Sequence, residues 1–144
     1  MRIAARMFLA CRSSMFVLDT NTLIYFFKGS GKVALRLLAT PPRQVRVPSI
    51  VLYELETGIA KSSSPAKRRR QLDCFLEEVE LLPFAANEAR RAAQIRARLE
   101  AEGTPIGPID VLIAATALAC GGTLVTHNLR EFQRVEGLGT IDWY

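Results

Sequence analysis

The sequence predicts an α/β domain in three layers, with a central parallel sheet of four to five strands flanked by helices. Three observations predict it. Short apolar runs alternate along the chain with helical stretches, the pattern of repeated strand–helix–strand units. Those runs are apolar throughout, as in strands covered on both faces. Polar residues, Asp19 and Asn128 among them, lie just beyond two of the runs, at the strand ends where open α/β sheets bind ligands.

The elements follow in order. Residues 15–18 are a short apolar run ending at Asp19, a buried strand. Asn21 or Thr22 can cap a helix reaching Lys28, which Gly29-Ser30-Gly31 stops. A short helix covers residues 32–39 and closes at Pro41-Pro42, and residues 45–47 form a second strand. Pro48-Ser49 starts a helix through Lys61. Ser62-Ser63-Ser64-Pro65 then breaks it and opens another over residues 65–78. Residues 80–83 are a third strand, and an amphipathic helix over residues 88–102 ends at Gly103. Residues 109–120 are helical and apolar on nearly every side, so this helix should be buried. After Gly121-Gly122, residues 123–126 form a fourth strand, and residues 140–142 a small last one.

A chain of 144 residues, 49% hydrophobic and 23% charged, suits one globular domain with one core. Residues 15–144 are expected to form it. Residues 1–14 are expected to be an N-terminal extension, disordered or upstream of a natural start at Met15. Their apolar stretch, Met7 to Cys11, is shorter than a secretory signal needs. The net charge is +5, but Arg2, Arg6 and Arg12 supply three of these charges and leave only +2 for the rest. Global charge is therefore weak evidence for a nucleic-acid partner. Cys11, Cys74 and Cys120 are odd in number and lack C-x-x-C spacing, which supports neither a zinc site nor a disulfide framework. The expected compartment is a reducing cytoplasm.

Three carboxylates stand beside apolar elements. Asp19 follows the first strand directly, where it can be a cap or a site residue. Glu54 has Ile50, Val51, Thr57 and Gly58 as helical neighbours, so it is expected to face inward, as a site residue or in a buried pair with an Arg. Asp110 opens the apolar helix after Gly107-Pro108, where it can cap the helix or, kept ionised by the helix N-terminus, bind a metal. Three such acids need a common reason. Mutual repulsion in a low-dielectric cleft would raise their pKa values unless a cation neutralised them. An all-oxygen set selects Mg²⁺, with Mn²⁺ the other choice. His127 is expected at the surface or supporting the site rather than ligating.

Four stretches then resemble one family. They are Val17-Leu18-Asp19-Thr20-Asn21, Glu54-Leu55-Glu56-Thr57-Gly58, Ile106-Gly107-Pro108-Ile109-Asp110 with the apolar helix after it, and Leu124-Val125-Thr126-His127-Asn128 with Arg130-Glu131-Phe132. In this order and spacing they resemble the PIN-domain family, and within it the VapC-type toxins of bacterial toxin–antitoxin pairs. The resemblance implies that Asp19, Glu54 and Asp110 are the metal-binding acids. It leaves the fourth position to Asn128, Glu131 or both, and gives Thr20, Asn21 and Thr126 orienting or substrate-facing roles.

The activity implied by the resemblance is magnesium-dependent hydrolysis of structured RNA, transfer or ribosomal, leaving a 5′-phosphate and so inhibiting translation. The implied partners are the RNA, a cognate antitoxin and a second copy of the chain. Lys67, Arg68, Arg69 and Arg70, and Arg90, Arg91, Arg96 and Arg98, are either solvated helix faces or phosphate contacts. Tyr25, Phe26 and Phe27 are core or a contact surface. The alternatives are a nuclease of the same fold acting on other nucleic acid, and a non-catalytic binding module.

Overall fold

The computed structural model describes residues 15–144. The expected extension at residues 1–14 lies outside them. Five strands form one sheet: β1 (Phe16–Leu18), β2 (Val45–Pro48), β3 (Glu80–Leu82), β4 (Thr123–Val125) and β5 (Thr140–Ile141). Their order is β3-β2-β1-β4-β5, and every adjacent pair is parallel. The flanking helices are α1 (Thr20–Lys28), α2 (Val33–Leu38), α3 (Ser49–Ala60), α4 (Pro65–Leu76), α5 (Ala86–Ala101), α6 (Pro108–Cys120) and α7 (Leu129–Phe132). A 3₁₀ turn, Pro42–Gln44, leads into β2.

The continuous apolar runs became the central strands. Val17, Leu18, Val47, Leu124 and Val125 have no exposed surface, and Val45 has 1%. Each such side chain contributes on the order of 1.5–3 kcal/mol by leaving water. The two edge strands are more exposed, and Glu80 on one of them, β3, pairs with Arg46 on β2 at 3.1 Å. The apolar helix is buried as expected. Val111 and Ile113 to Ala117 on α6 are all enclosed, and Val111 and Ala115 meet Ala92 of α5. Such small side chains let the two helices pack closely.

Several details differ from the sequence expectations. Asn21 and Thr22 do not cap α1. Asp19 does, its carboxylate accepting from the Thr22 backbone N–H at 2.9 Å. Helix α5 starts at Ala86 and β4 ends at Val125, which leaves Thr126 in the loop beyond the strand. Helix α7 and the 3₁₀ turn have too few residues to show a hydrophobic period. Among the described residues no helix is long and apolar enough to cross a membrane. Cys74 and Cys120 are free thiols.

The topology positions the site. The chain builds outward from β1 to β2 and β3, then returns to lay β4 on the other side of β1. Between β1 and β4 the winding direction reverses, and a crevice opens at the carboxyl ends of those strands. Asp19 and Thr126 are the residues immediately after them.

Candidate active site

Asp19 is held at this crevice by backbone and side chain together. Its N–H donates to the Val125 carbonyl at 3.2 Å, which ties the end of β1 to the end of β4. The Thr22 hydroxyl donates to the same carbonyl at 3.0 Å. Asp19 is only 5% exposed, and burial raises its carboxyl above the ordinary range, against hydrogen bonds from Thr126 and Thr22 that favour the charge. Thr126, fully buried, accepts from the Asn128 N–H at 3.0 Å, so the end of β4 connects Asp19 to the following loop.

Glu54 comes from α3. The enclosed row of that helix is Val51, Leu55 and Ile59, and Glu54 lies one step round, half-buried rather than facing the core as expected. Its Oε1 accepts from the hydroxyl of Thr20, the first residue of α1. Among the described residues it is not paired to an Arg. The arginine pair on α3 belongs to Glu56, which Arg69 grips with both guanidinium nitrogens.

Asp110 sits in the first turn of α6, two residues inside Pro108, while Gly107 holds the cap position without a side-chain bond. Its carboxylate folds back over the turn. A Cβ built on Gly107 would lie 3.2 Å from Asp110 Oδ2, so a residue without a side chain leaves room there. The Asp110 carboxyl is raised to about 6, first by burial and then by the charges of Glu131, Asp19 and Glu54. Glu131, on α7, is the acid whose charge acts most on Asp110, and it accepts from Asn128 Nδ2 at 3.0 Å.

The fold thus makes neighbours of Asp19, Glu54, Asp110 and Glu131. Asn128 supports Glu131 from one side and Thr126 from the other. Asn21 is exposed and makes no side-chain hydrogen bond among the described residues. Its neighbour Thr22, expected only as an alternative cap, makes the contacts instead. Asp142, which the sequence did not single out, adds its charge at Asp19. Its only sequence sign was an acid at the end of the last small strand. His127 is exposed beside it, its Nδ1 2.8 Å from Asp142 Oδ2.

The donor set fits a hard divalent cation in kind, since every group is a carboxylate oxygen. It also fits in charge. Among the described residues none of the four acids has a Lys or Arg within ion-pair distance. The side chains do not form a closed cage: no three His, Cys, Asp or Glu among the described residues are gathered tightly enough to hold an ion as they stand. Uncompensated carboxylates repel, and Glu54 and Glu131 are each turned to a hydrogen-bond partner.

The basic runs divide. Arg69, Arg96 and Arg98 are engaged with Glu56, Glu100 and Glu136. Arg68 instead lines, with Lys28 and Glu54, a cavity of about 280 Å³ between α1, α3 and α4. Phe26 and Phe27 are partly buried against the core. They meet Phe75 at tilted and edge-on angles and line an apolar cavity of about 550 Å³ that Leu38, 80% exposed, also borders.

Comparison with known proteins agrees with this fold. Residues 16–138 match the PIN domain family. The tRNA(fMet)-specific endonuclease VapC of Salmonella typhimurium is 37% identical over 128 residues, covering 89% of this chain and 97% of that protein. Ribonuclease VapC2 of Rickettsia felis is 36% identical over 132 residues, covering 90% and 98%. The solved structure of VapBC2 from Rickettsia felis, bound to a DNA fragment from its promoter, superposes with a TM-score of 0.84 at 33% identity. That match covers 90% of this chain and 99% of the other.

Proposed function

This chain belongs to the PIN-domain family and stands among its VapC-type members; from that premise we propose that it is a magnesium-dependent endoribonuclease, the toxin of a toxin–antitoxin pair, cleaving a structured RNA to inhibit translation. The observation that carries this is the environment of Asp110, half-buried beside Glu131, Asp19 and Glu54, with no Lys or Arg within ion-pair distance of the four acids among the described residues. A cluster of this kind at a topological switch point is a poor way to stabilise a fold and a suitable way to hold a cation against a phosphate.

Asp19, Glu54 and Asp110 would hold the ion, with Glu131 as the fourth acid and Asn128 orienting it. When bound, magnesium polarises the phosphate, neutralises developing charge and favours ionisation of a water. The chain's own residues do the rest. Thr20 and Thr126 fix the carboxylates of Glu54 and Asp19. One carboxylate of the cluster accepts the proton of the attacking water. Arg68 and Lys28, beside Glu54, offer cationic contacts to the flanking phosphates.

The Salmonella relative is named for tRNA(fMet), which makes a tRNA the first substrate to try. The Rickettsia structure is a toxin–antitoxin complex on DNA. We therefore take a cognate antitoxin and a multi-chain assembly as this chain's partners, in the cytoplasm. The test is digestion of total tRNA by purified protein, with magnesium and with chelator, beside single-stranded DNA. Magnesium-dependent cleavage of a tRNA, lost in Asp19→Asn and Asp110→Asn, supports the proposal. Cleavage of DNA alone, or unaltered cleavage in either variant, overturns it.

A further inference from the structure

His127, at the rim of the acidic cluster, is held more rigidly than a surface side chain needs to be. It follows Thr126 at the end of β4. Its Nδ1 lies 2.8 Å from Asp142 Oδ2, and its ring is stacked on Tyr144, with centroids 4.3 Å apart and planes 26° apart. Tyr25 meets the His127 ring edge-on at 5.8 Å and the Tyr144 ring at 4.9 Å. Tyr144 is itself pinned. Its N–H donates to Asp142 Oδ1 at 2.9 Å, and its ring lies against Gly31, where a Cβ would come within 2.9 Å of ring carbons. Two aromatic neighbours and one carboxylate thus fix the orientation of a ring whose side chain is still 46% exposed.

In a neutral imidazole the nitrogen that faces a carboxylate carries the proton, which puts it on Nδ1 and leaves the outward Nε2 with a lone pair. Among the described residues Nε2 has no hydrogen-bond partner. Its surroundings belong to the site. Thr126 and Asn128 on either side of it contact Asp19 and Glu131, and the charge of Asp142 is felt at Asp19. A lone pair does not suit a phosphate oxygen, which also only accepts. It suits a donor. The donor that RNA offers next to every phosphate, whatever the base, is the 2′-hydroxyl, and this group separates RNA from DNA.

We propose that His127 is a specificity residue that reads the sugar, its Nε2 accepting from the 2′-hydroxyl of a nucleotide flanking the scissile phosphate. Asp142 and Tyr144 are positioning residues that keep the lone pair outward. The assignment rests on the ribonuclease function proposed above.

The experiment uses the tRNA species that the full chain cleaves, with the cut site mapped, resynthesised with single 2′-deoxy nucleotides at the positions flanking the cut. The readout is the ratio of kcat/KM for all-ribo over single-deoxy substrate within each protein, which does not depend on how much of a variant is folded. Wild type should show a ratio of roughly ten at one flanking position, the value of one neutral hydrogen bond. His127→Phe, which keeps a stacking ring and removes the acceptor, should bring that ratio to about one. A wild-type ratio of one at every flanking position overturns the proposal, and so does a His127→Phe ratio equal to wild type. Loss of activity with the ratio retained also overturns it, because His127 would then act on something other than the sugar. If wild type cleaves no RNA, the ribonuclease function itself fails, an outcome separate from the other three.

Discussion

The hydroxyl of Thr20, the first residue of α1, donates to Oε1 of Glu54 on α3, across 34 positions of sequence. One end of that bond is next to Asp19, so a single threonine ties two of the acids into one frame. Thr20→Val keeps the shape and removes the donor. It should lower kcat/KM on RNA roughly ten-fold or more, the usual cost of freeing a ligand's hydrogen-bond partner, while Thr20→Ser should retain most activity. Steady-state cleavage kinetics check this, and wild-type rates in Thr20→Val would mean that Glu54 needs no orienting.

Asp110 provides a stability test with a definite sign. Its carboxyl is raised to about 6, above the ordinary 3.8, so the folded chain holds that proton more tightly than the unfolded chain does. Ionisation therefore opposes folding: the penalty is absent below about pH 4 and complete above about pH 6. Without metal, Asp110→Asn should melt a few degrees above wild type at neutral pH. That gap should close as the pH falls through the interval from about 6 to about 4. Calorimetric scans of both proteins in chelator decide it, and a destabilised Asp110→Asn at neutral pH would contradict the repulsion described.

Magnesium should reverse the order. An ion that binds only the folded state raises its stability with concentration, so wild type should gain melting temperature in magnesium and Asp110→Asn should gain little. The gain should weaken as the pH is lowered below about 6, because the ion competes with the proton on Asp110. A titration of melting temperature against magnesium at two pH values reads both effects.

Gly107 keeps clear the space into which Asp110 Oδ2 folds. Gly107→Ala would set a methyl 3.2 Å from that oxygen and push the carboxylate aside by a few tenths of an ångström. Catalysis is sensitive to such shifts, so activity should fall by about ten-fold or more with little change in melting temperature. A variant that cleaves normally would show that Asp110 tolerates the displacement.

Arg68 borders the same cavity as Glu54, whereas Arg69 is occupied by Glu56. Arg68→Ala should weaken RNA binding and reduce the salt slope by about one unit. Arg69→Ala should leave that slope unchanged. Binding isotherms at three salt concentrations separate the two.

The strands and long helices were legible in the sequence because apolar runs and helical periodicity are local properties. Residues 15–18 and 123–126 read as strands, residues 109–120 read as a buried helix, and the structure has β1, β4 and α6 there. The three acids were legible too, since Asp19, Glu54 and Asp110 each interrupt an apolar context. Less visible was the row on which Glu54 lies, because a difference of one helical position depends on how α3 packs. Helix α7 escaped notice for want of length, and Asp142 because an acid beside an edge strand is ordinary.

By itself, then, the sequence determined the alternation of elements, the positions of the acids and the family they resemble. Tertiary structure decided which side chains meet. The order β3-β2-β1-β4-β5 put the ends of β1 and β4 side by side, and so brought Asp19 to Thr126 and Val125, and Asp142 to His127. It also brought the hydroxyl of Thr22 to the Val125 carbonyl, 103 positions away. The reason is physical. Burial and periodicity act over a few residues, whereas charge repulsion and hydrogen bonding act through space, between groups that the chain leaves far apart until the sheet closes.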